Sequence, residues 1–207
     1  MPQVRSVSNL ILASVGRSTI LTTTTSWAIR NCGLLMLRSL IDCLLGTNES
    51  KASIEAGWDG KTVRIPYHKF ANLPAVLLNL LEMGKQADGV LIGSQSAESV
   101  FPALDIIRRA GPPEASRDEL YHSISWYLGS RIWHVREIAA RTLCSFLLRP
   151  GWDEEVKQLI SESTSSMNKL HGALMTLKFL LRRLGEVMPE KISGVLASHT
   201  PSLSSPD

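Results

Sequence analysis

The chemistry this sequence can offer lies mostly in its arginines. Arg108-Arg109, Arg131, Arg136, Arg141 and Arg182-Arg183 sit on or beside consecutive helical segments. A guanidinium is permanently charged and presents a planar fork of donors that suits phosphate and carboxylate. Where helices stack in repeats, equivalent positions line up on one surface. A row of arginines there tracks a phosphate backbone and positions RNA without reading its sequence. The alternative reading is a solvated face closed by local ion pairs. Arg131, Arg136, Arg141, Arg182 and Arg183 are the candidates for RNA or partner contact.

Signs of catalysis are missing. The sequence has no Gly-x-x-x-x-Gly-Lys-Ser/Thr loop, no Gly-x-Gly-x-x-Gly turn and no His-Glu-x-x-His pair. It has no Gly-x-Ser-x-Gly elbow either. His68, His122, His134, His171 and His199 are scattered. His134, at a helix start, and His171, just before Gly172, are the two that can act as ligand or base, but packed or half-exposed histidines are the plainer reading. Asp153-Glu154-Glu155 can attract a cation, and equally places negative charge at a helix start, where the backbone dipole favours it. No nucleophile, base and orienting group come together. The expectation is a chain without catalytic residues, cofactor or metal. Cys32, Cys43 and Cys144 lack metal-ligand spacing and read as buried small hydrophobes in a reducing compartment.

The elements that must carry the arginines read as helices. The segment from Ser130 to Leu143 organises them: Ser130 reads as its N-cap, and Val135, Ile138, Ala139, Thr142 and Phe146 fall at helical spacing as a buried stripe. Glu137 and Arg141 stand four apart in the favourable order for a surface pair. The segment Trp27 to Leu37 aligns with Trp133 to Leu143 without gaps, pairing Trp27 with Trp133, Arg30 with Arg136 and Gly33 with Ala139. Their separation fits two to three helical hairpins at roughly 40 residues each.

The remaining segments share this grammar. A short helix is expected over residues 4–15 and a strong one over 26–45, with a long loop at about 47–67. Asn72-Leu73-Pro74 opens a helix with Leu73, Leu77, Leu80 and Leu81 as its stripe and Gly84 at its end. Ser94 or Ser96 starts another, with Val100, Leu104 and Ile107 inward, stopped by Gly111-Pro112-Pro113. Ser116-Arg117-Asp118-Glu119 is a capping box opening a helix that Gly129 closes. After the organising helix come one with Val156, Leu159 and Ile160 as its apolar positions and a last one over 168–184, with Leu170, Leu174, Leu177 and Leu181 in register. Val90-Leu91-Ile92 is the only β-like run and is too short to matter. The expected fold is all-α: an α-solenoid of HEAT/armadillo-like helical hairpins, about eight helices, over residues 1–188, with a Ser/Pro-rich tail at 189–207 expected to be disordered.

Composition agrees. Apolar residues make up 44% of the 207, which excludes wholesale disorder, and abundant leucine with few aromatics suits helices better than sheet. The net charge of +3 neither demands nor excludes nucleic acid. No apolar run is long enough to span a bilayer, so no membrane partner is expected. Residues 1–41 contain no acidic residue, a bias also seen in mitochondrial leaders. It runs on into the Trp27 repeat, so this stretch is read as folded core and the protein as cytoplasmic.

Taken in order, Trp27-Ala28-Ile29-Arg30-Asn31, Phe70 ahead of Leu73-Pro74 and Leu77-Leu78, Val135-Arg136-Glu137-Ile138-Ala139-Ala140-Arg141 and His171-Gly172-Ala173-Leu174 resemble the C-terminal part of the conserved block in the thyroid-adenoma-associated protein family. The resemblance covers most of residues 27–183. Fungal members of that family are partner subunits of a tRNA ribose methyltransferase. The resemblance implies a non-catalytic scaffold supporting 2′-O-methylation at position 32 of the tRNA anticodon loop. Its implied partners are the methyltransferase catalytic subunit, which supplies the methyl-donor site, and tRNA. No functional residue of the family maps onto a numbered position here. Without the resemblance, a general HEAT-type protein-interaction module with no RNA role fits the same residues.

Overall fold

The computed structural model describes residues 67–89 and 100–187, Ile65, and five helical positions further upstream: Ile29, Cys32, Leu35, Met36 and Ser39. The expected helix over 4–15, most of the 47–67 loop, the Val90 to Ile92 run and the tail from 189 lie outside the described residues. Six α-helices follow one another: α1 (Leu73–Gly89), α2 (Phe101–Ala110), α3 (Arg117–Trp126), α4 (Trp133–Leu147), α5 (Trp152–Ser163) and α6 (Met167–Val187). Short 3-10 turns at Tyr67–Lys69, Glu114–Ser116 and Tyr127–Gly129 complete the described elements, and no strand occurs among them.

The packing is two-layered. In one layer α4 lies between α2 and α6 and makes its most extensive contacts with them. In the other, α1 packs on α3, and α3 returns onto α4 as α5 returns onto α6. Apart from α5, which packs mainly on α6, each helix thus buries a face against its hairpin partner and against the helix two places along, as stacked helical repeats do. Over the described residues, the all-helical solenoid expected from the sequence is the fold observed.

Local chemistry explains most boundaries. Leu73, Leu77, Leu80 and Leu81 are all buried on α1, as the leucine spacing predicts. Gly84 does not end that helix, which runs on to Gly89. Gly84 instead makes room for a neighbour: a Cβ there would stand closer to Val100 than atoms can approach and would also collide with the Tyr127 hydroxyl. Tyr127, fully buried, donates that hydroxyl to the Leu81 carbonyl. Gly111 closes α2 with a positive φ of 90° and donates its N–H to the Ile107 carbonyl at 2.9 Å. The Pro-Pro pair after it cannot extend the helix.

Two expected caps do not form. Ser116 precedes α3 but makes no side-chain cap bond. It ends a 3-10 turn with φ −125° and ψ 24°, away from the extended backbone an N-cap side chain needs. Ser130 does not cap α4, which starts only at Trp133 after the extended Ile132. Its hydroxyl accepts the Ile132 N–H at 3.3 Å and so shapes the turn rather than the helix.

The stripe of α4 is as expected: Val135, Ala139, Thr142 and Phe146 are buried, Ile138 is half-buried, and Thr142 donates across to the Leu104 carbonyl of α2 at 3.1 Å. The repeat with Trp27 to Leu37 does not extend to burial, since Ile29 is 45% exposed where its counterpart Val135 is sealed. On α6 the leucine register is not the buried face. Ala173, Thr176, Leu180 and Leu184 face inward, while Leu174 and Leu181 are exposed.

Cys32 is exposed, against expectation, and Cys144 is buried between α4 and α6, its thiol directed at the Ala140 and Thr176 carbonyls. Cys43 lies outside the described residues. Burial pushes the Cys144 thiol from 9.0 up to about 12. The thiolate is the reactive form, so N-ethylmaleimide at pH 8 will label Cys32 in the folded protein and leave Cys144 unlabelled until denaturant is added, as read by peptide mass spectrometry. Because folding raises this pKa, the chain loses stability as pH climbs from 9.0 toward about 12, where the unfolded thiol ionises and the folded one does not.

Candidate functional site

The candidate arginines occupy different environments. Arg131 is exposed in the turn between the Tyr127–Gly129 3-10 turn and α4. Arg136, five residues on, is buried, and its Nη1 donates to the Ser130 carbonyl at 2.5 Å and the Arg131 carbonyl at 3.1 Å. A chain leaving a helical end has carbonyls without partners, and this guanidinium takes up two of them. The Arg136 charge therefore faces backbone, not an open surface.

Arg141 is half-buried. It pairs with Glu137 at 2.8 Å, and its guanidinium lies 4.7 Å from the centre of the Phe179 ring, tying α4 to α6. The pair expected from the four-residue spacing is present, and the ring contact adds cation–π attraction that the sequence does not show. Arg182 is 69% exposed beside Glu186 at 3.4 Å, and Arg183, largely covered, bonds the same carboxylate at 3.0 Å. Arg108 and Arg109 are buried and both reach Asp105, at 2.6 and 3.7 Å. The fold does not gather these side chains into one uniform row. It leaves the Arg131 and Arg182 guanidinium groups most open to solvent.

The two singled-out histidines stay at the surface. His134 is exposed with its ring edge-on to Trp133 at 4.9 Å, and His171 is exposed on α6. Asp153 and Glu154 pair with Lys157, at 3.9 and 2.7 Å, and Glu155 with Arg149 at 2.8 Å. No group of three or more metal-binding side chains occurs among the described residues. No described helix is long and apolar enough to cross a membrane.

One site was not legible in the residue pattern. Where α3 and α5 make few contacts, a cleft of about 270 Å³ opens, with Arg117, Tyr121, His122, Arg149, Glu155 and Lys169 among its walls. Arg117 is held there by three contacts to two residues. It donates to the Phe146 carbonyl, lies 5.4 Å from the centre of the Phe146 ring, and faces Glu114 at 3.6 Å. Burial, and then the nearby Arg149 charge, lower its pKa. Burial, and then Glu155, raise that of Tyr121. Arg117, Arg149 and Lys169 are matched in the wall by Asp118, Glu155 and Glu162, so the cleft is polar without a net charge. The sequence concealed it because Arg117 sits inside an apparent capping box and Arg149 directly precedes Pro150-Gly151, a pair that reads only as a break between helices.

Comparison with known proteins places this architecture. The model of the family described as Trm732, C-terminal TPR repeats, matches residues 30–180. The chain belongs to this family. TPR and HEAT repeats are both stacked helical hairpins, so the family description agrees with the two-layered packing. The tRNA (32-2′-O)-methyltransferase regulator trm732 of Schizosaccharomyces pombe is 26% identical over 166 residues, covering 75% of this chain and 11% of that protein. The tRNA (32-2′-O)-methyltransferase regulator THADA of Chlorocebus aethiops is 25% identical over 170 residues, covering 75% of this chain and 9% of that protein. This chain therefore spans about a tenth of the length of these curated relatives. No solved structure shows a significant match. The resemblance read from the Trp27, Val135 and His171 segments is borne out by both the family and the relatives.

Proposed function

We propose that this chain is a non-catalytic regulatory scaffold, or a portion of one, that supports 2′-O-ribose methylation of tRNA at anticodon-loop position 32. The observation that carries this reading is membership in the Trm732 C-terminal repeat family, with two relatives named as regulators of that methyltransferase. The physical logic is that of stacked hairpins. An extended helical surface holds a catalytic subunit and an RNA together and raises their effective concentration. The chain contributes no catalytic step; the methyl-donor site belongs to the partner, and the complex is cytoplasmic.

Within this reading Arg131 and Arg182 are the RNA or partner contacts, because their guanidinium groups are the most accessible. Arg141 and Arg183 assist from their exposed edges, and Arg136 acts indirectly by holding the 130–131 turn that presents Arg131. The test is co-purification of the chain with the tRNA ribose methyltransferase, followed by methylation at position 32, with a full-length relative as positive control. A complex that methylates supports the reading; a helical chain that neither binds nor stimulates the enzyme removes it.

A second reading, a protein-interaction module with no RNA role, draws support from the internal partners of Arg136, Arg141, Arg182 and Arg183. Salt separates the two. If Arg131 and Arg182 touch phosphate, replacing both with glutamine will weaken tRNA binding and flatten its dependence on log salt concentration by about two. An unchanged slope assigns the surface to protein.

A further inference from the structure

The last described helix of the α2–α4–α6 layer buries one face on α4, and side chains on its opposite face are exposed. That outer face is apolar at heptad spacing: Met167, Leu174 and Leu181 are 81%, 48% and 40% exposed. Leu170 and Leu177 lie half-buried along one side of the stripe. Along the other run His171, Lys178 and Arg182, all exposed, with no acidic side chain before Glu186 near the helix end. The stripe spans about 21 Å at about 1.5 Å per residue, roughly four helical turns. Exposed leucines at this spacing are the anchors that a second amphipathic helix takes up when it packs in a groove or seam.

We infer that the outer face of α6 is a docking surface for an acidic amphipathic helix of a partner protein, which would continue the layer as its next helix. The charge of the rim selects this occupant. Flanking positions of a helix pair set partner choice, and a rim whose charges are those of Lys178 and Arg182 favours glutamate or aspartate opposite it. A second copy packed antiparallel on the same stripe would set this cationic rim against its own image. Residues 188–207 of the chain carry only Glu190 and Asp207 as acids, with Lys191 beside the first, and do not match the rim. The inference takes Arg182 as a contact to protein rather than to phosphate, and otherwise does not depend on the methyltransferase reading, since the partner is defined by its chemistry.

The test uses the full chain and two fluorescein-labelled designed helical peptides of about 20 residues, long enough to cover the stripe. Both carry leucine at heptad spacing; one bears glutamate along its flank and the other lysine. Fluorescence anisotropy will show the acidic peptide binding about tenfold tighter than the basic one, the size expected of about 1.4 kcal/mol of charge selectivity. Leu174→Glu and Leu181→Glu, both at exposed positions that leave the circular dichroism unchanged, will each lower that affinity about tenfold, as loss of an anchor does. Lys178→Glu with Arg182→Glu will reverse the preference between the two peptides. Binding of neither peptide, equal binding of both, or an unaffected Leu174→Glu variant overturns the assignment. So does a dimer in sedimentation that Leu174→Glu dissolves, which would make a second copy the occupant. Loss of tRNA binding in the charge-reversed variant, with no competition from the acidic peptide, would make the rim an RNA contact and equally overturn it.

Discussion

Replacing Gly172 with alanine will lower the thermal unfolding midpoint by about 5–10 °C, corresponding to about 2–3 kcal/mol for a chain of this size. Gly172 lies in the second turn of α6, inside the helix, where glycine is otherwise a poor choice and alanine would add about 1 kcal/mol of helix propensity. The fold reverses that preference. A Cβ at this position would come within 2.8 Å of the Leu128 Cβ and 2.9 Å of its Cα, and closer still to the Leu128 carbonyl oxygen. Two of these obstacles are backbone, which cannot swing aside as a side-chain tip can. Relief requires α6 to move off the Tyr127–Gly129 turn, and that turn and α4 are its main contacts. The same movement would loosen Thr176, Ala173 and Leu180, all of which are sealed. Differential scanning calorimetry of wild type and Gly172→Ala decides the point. An equal or higher midpoint in the variant would show that the approach at Leu128 is not tight.

Replacing Arg136 with methionine will also act through stability, by about 2 kcal/mol, the scale of a buried hydrogen bond to a charged group. Methionine keeps most of the apolar stem and removes only the donors, so the loss reports the bonds to the Ser130 and Arg131 carbonyls. Ser130 is itself buried, and its carbonyl would be left without this partner. Arg182→Met is the matched control. Its pair with Glu186 is largely in solvent, and such pairs contribute about 0–1 kcal/mol. The two variants should therefore separate: Arg136→Met shifts the denaturation midpoint, and Arg182→Met leaves it nearly in place. Arg136→Lys will recover only part of the loss, because a single ammonium on a flexible stem replaces a planar fork. If Arg136→Met instead weakened tRNA binding with no change in midpoint, its guanidinium would be a contact and not a brace.

Both predictions concern residues that looked different in the sequence. Arg136 was one of a series of basic residues at helical spacing, and nothing in that spacing distinguishes a guanidinium turned to solvent from one turned back on the preceding turn. Gly172 stood next to a histidine in a helix of high leucine content. Its purpose appears only when Leu128, 44 positions earlier, is brought against it. Gly84 was misread for the same reason: it looks like a helix stop and is a clearance for Val100 and Tyr127.

By itself the sequence determined the helical class, the order of the segments, the stripes of α1 and α4, the Gly111 stop, the Glu137–Arg141 pair and the family. These features are local, or repeat at the period of one helix, so the residue pattern carries them directly. The tertiary structure decided which face of α6 is inside, which arginines keep an accessible charge, why Ser116 and Ser130 cap nothing, and where the cleft between α3 and α5 opens. Each of these depends on residues distant in the chain competing for the same space or the same hydrogen bond. On α6 the leucines have the stronger hydrophobic claim, yet the small face of Gly172, Ala173 and Thr176 goes inward, because only small residues let that helix approach the Leu128 backbone.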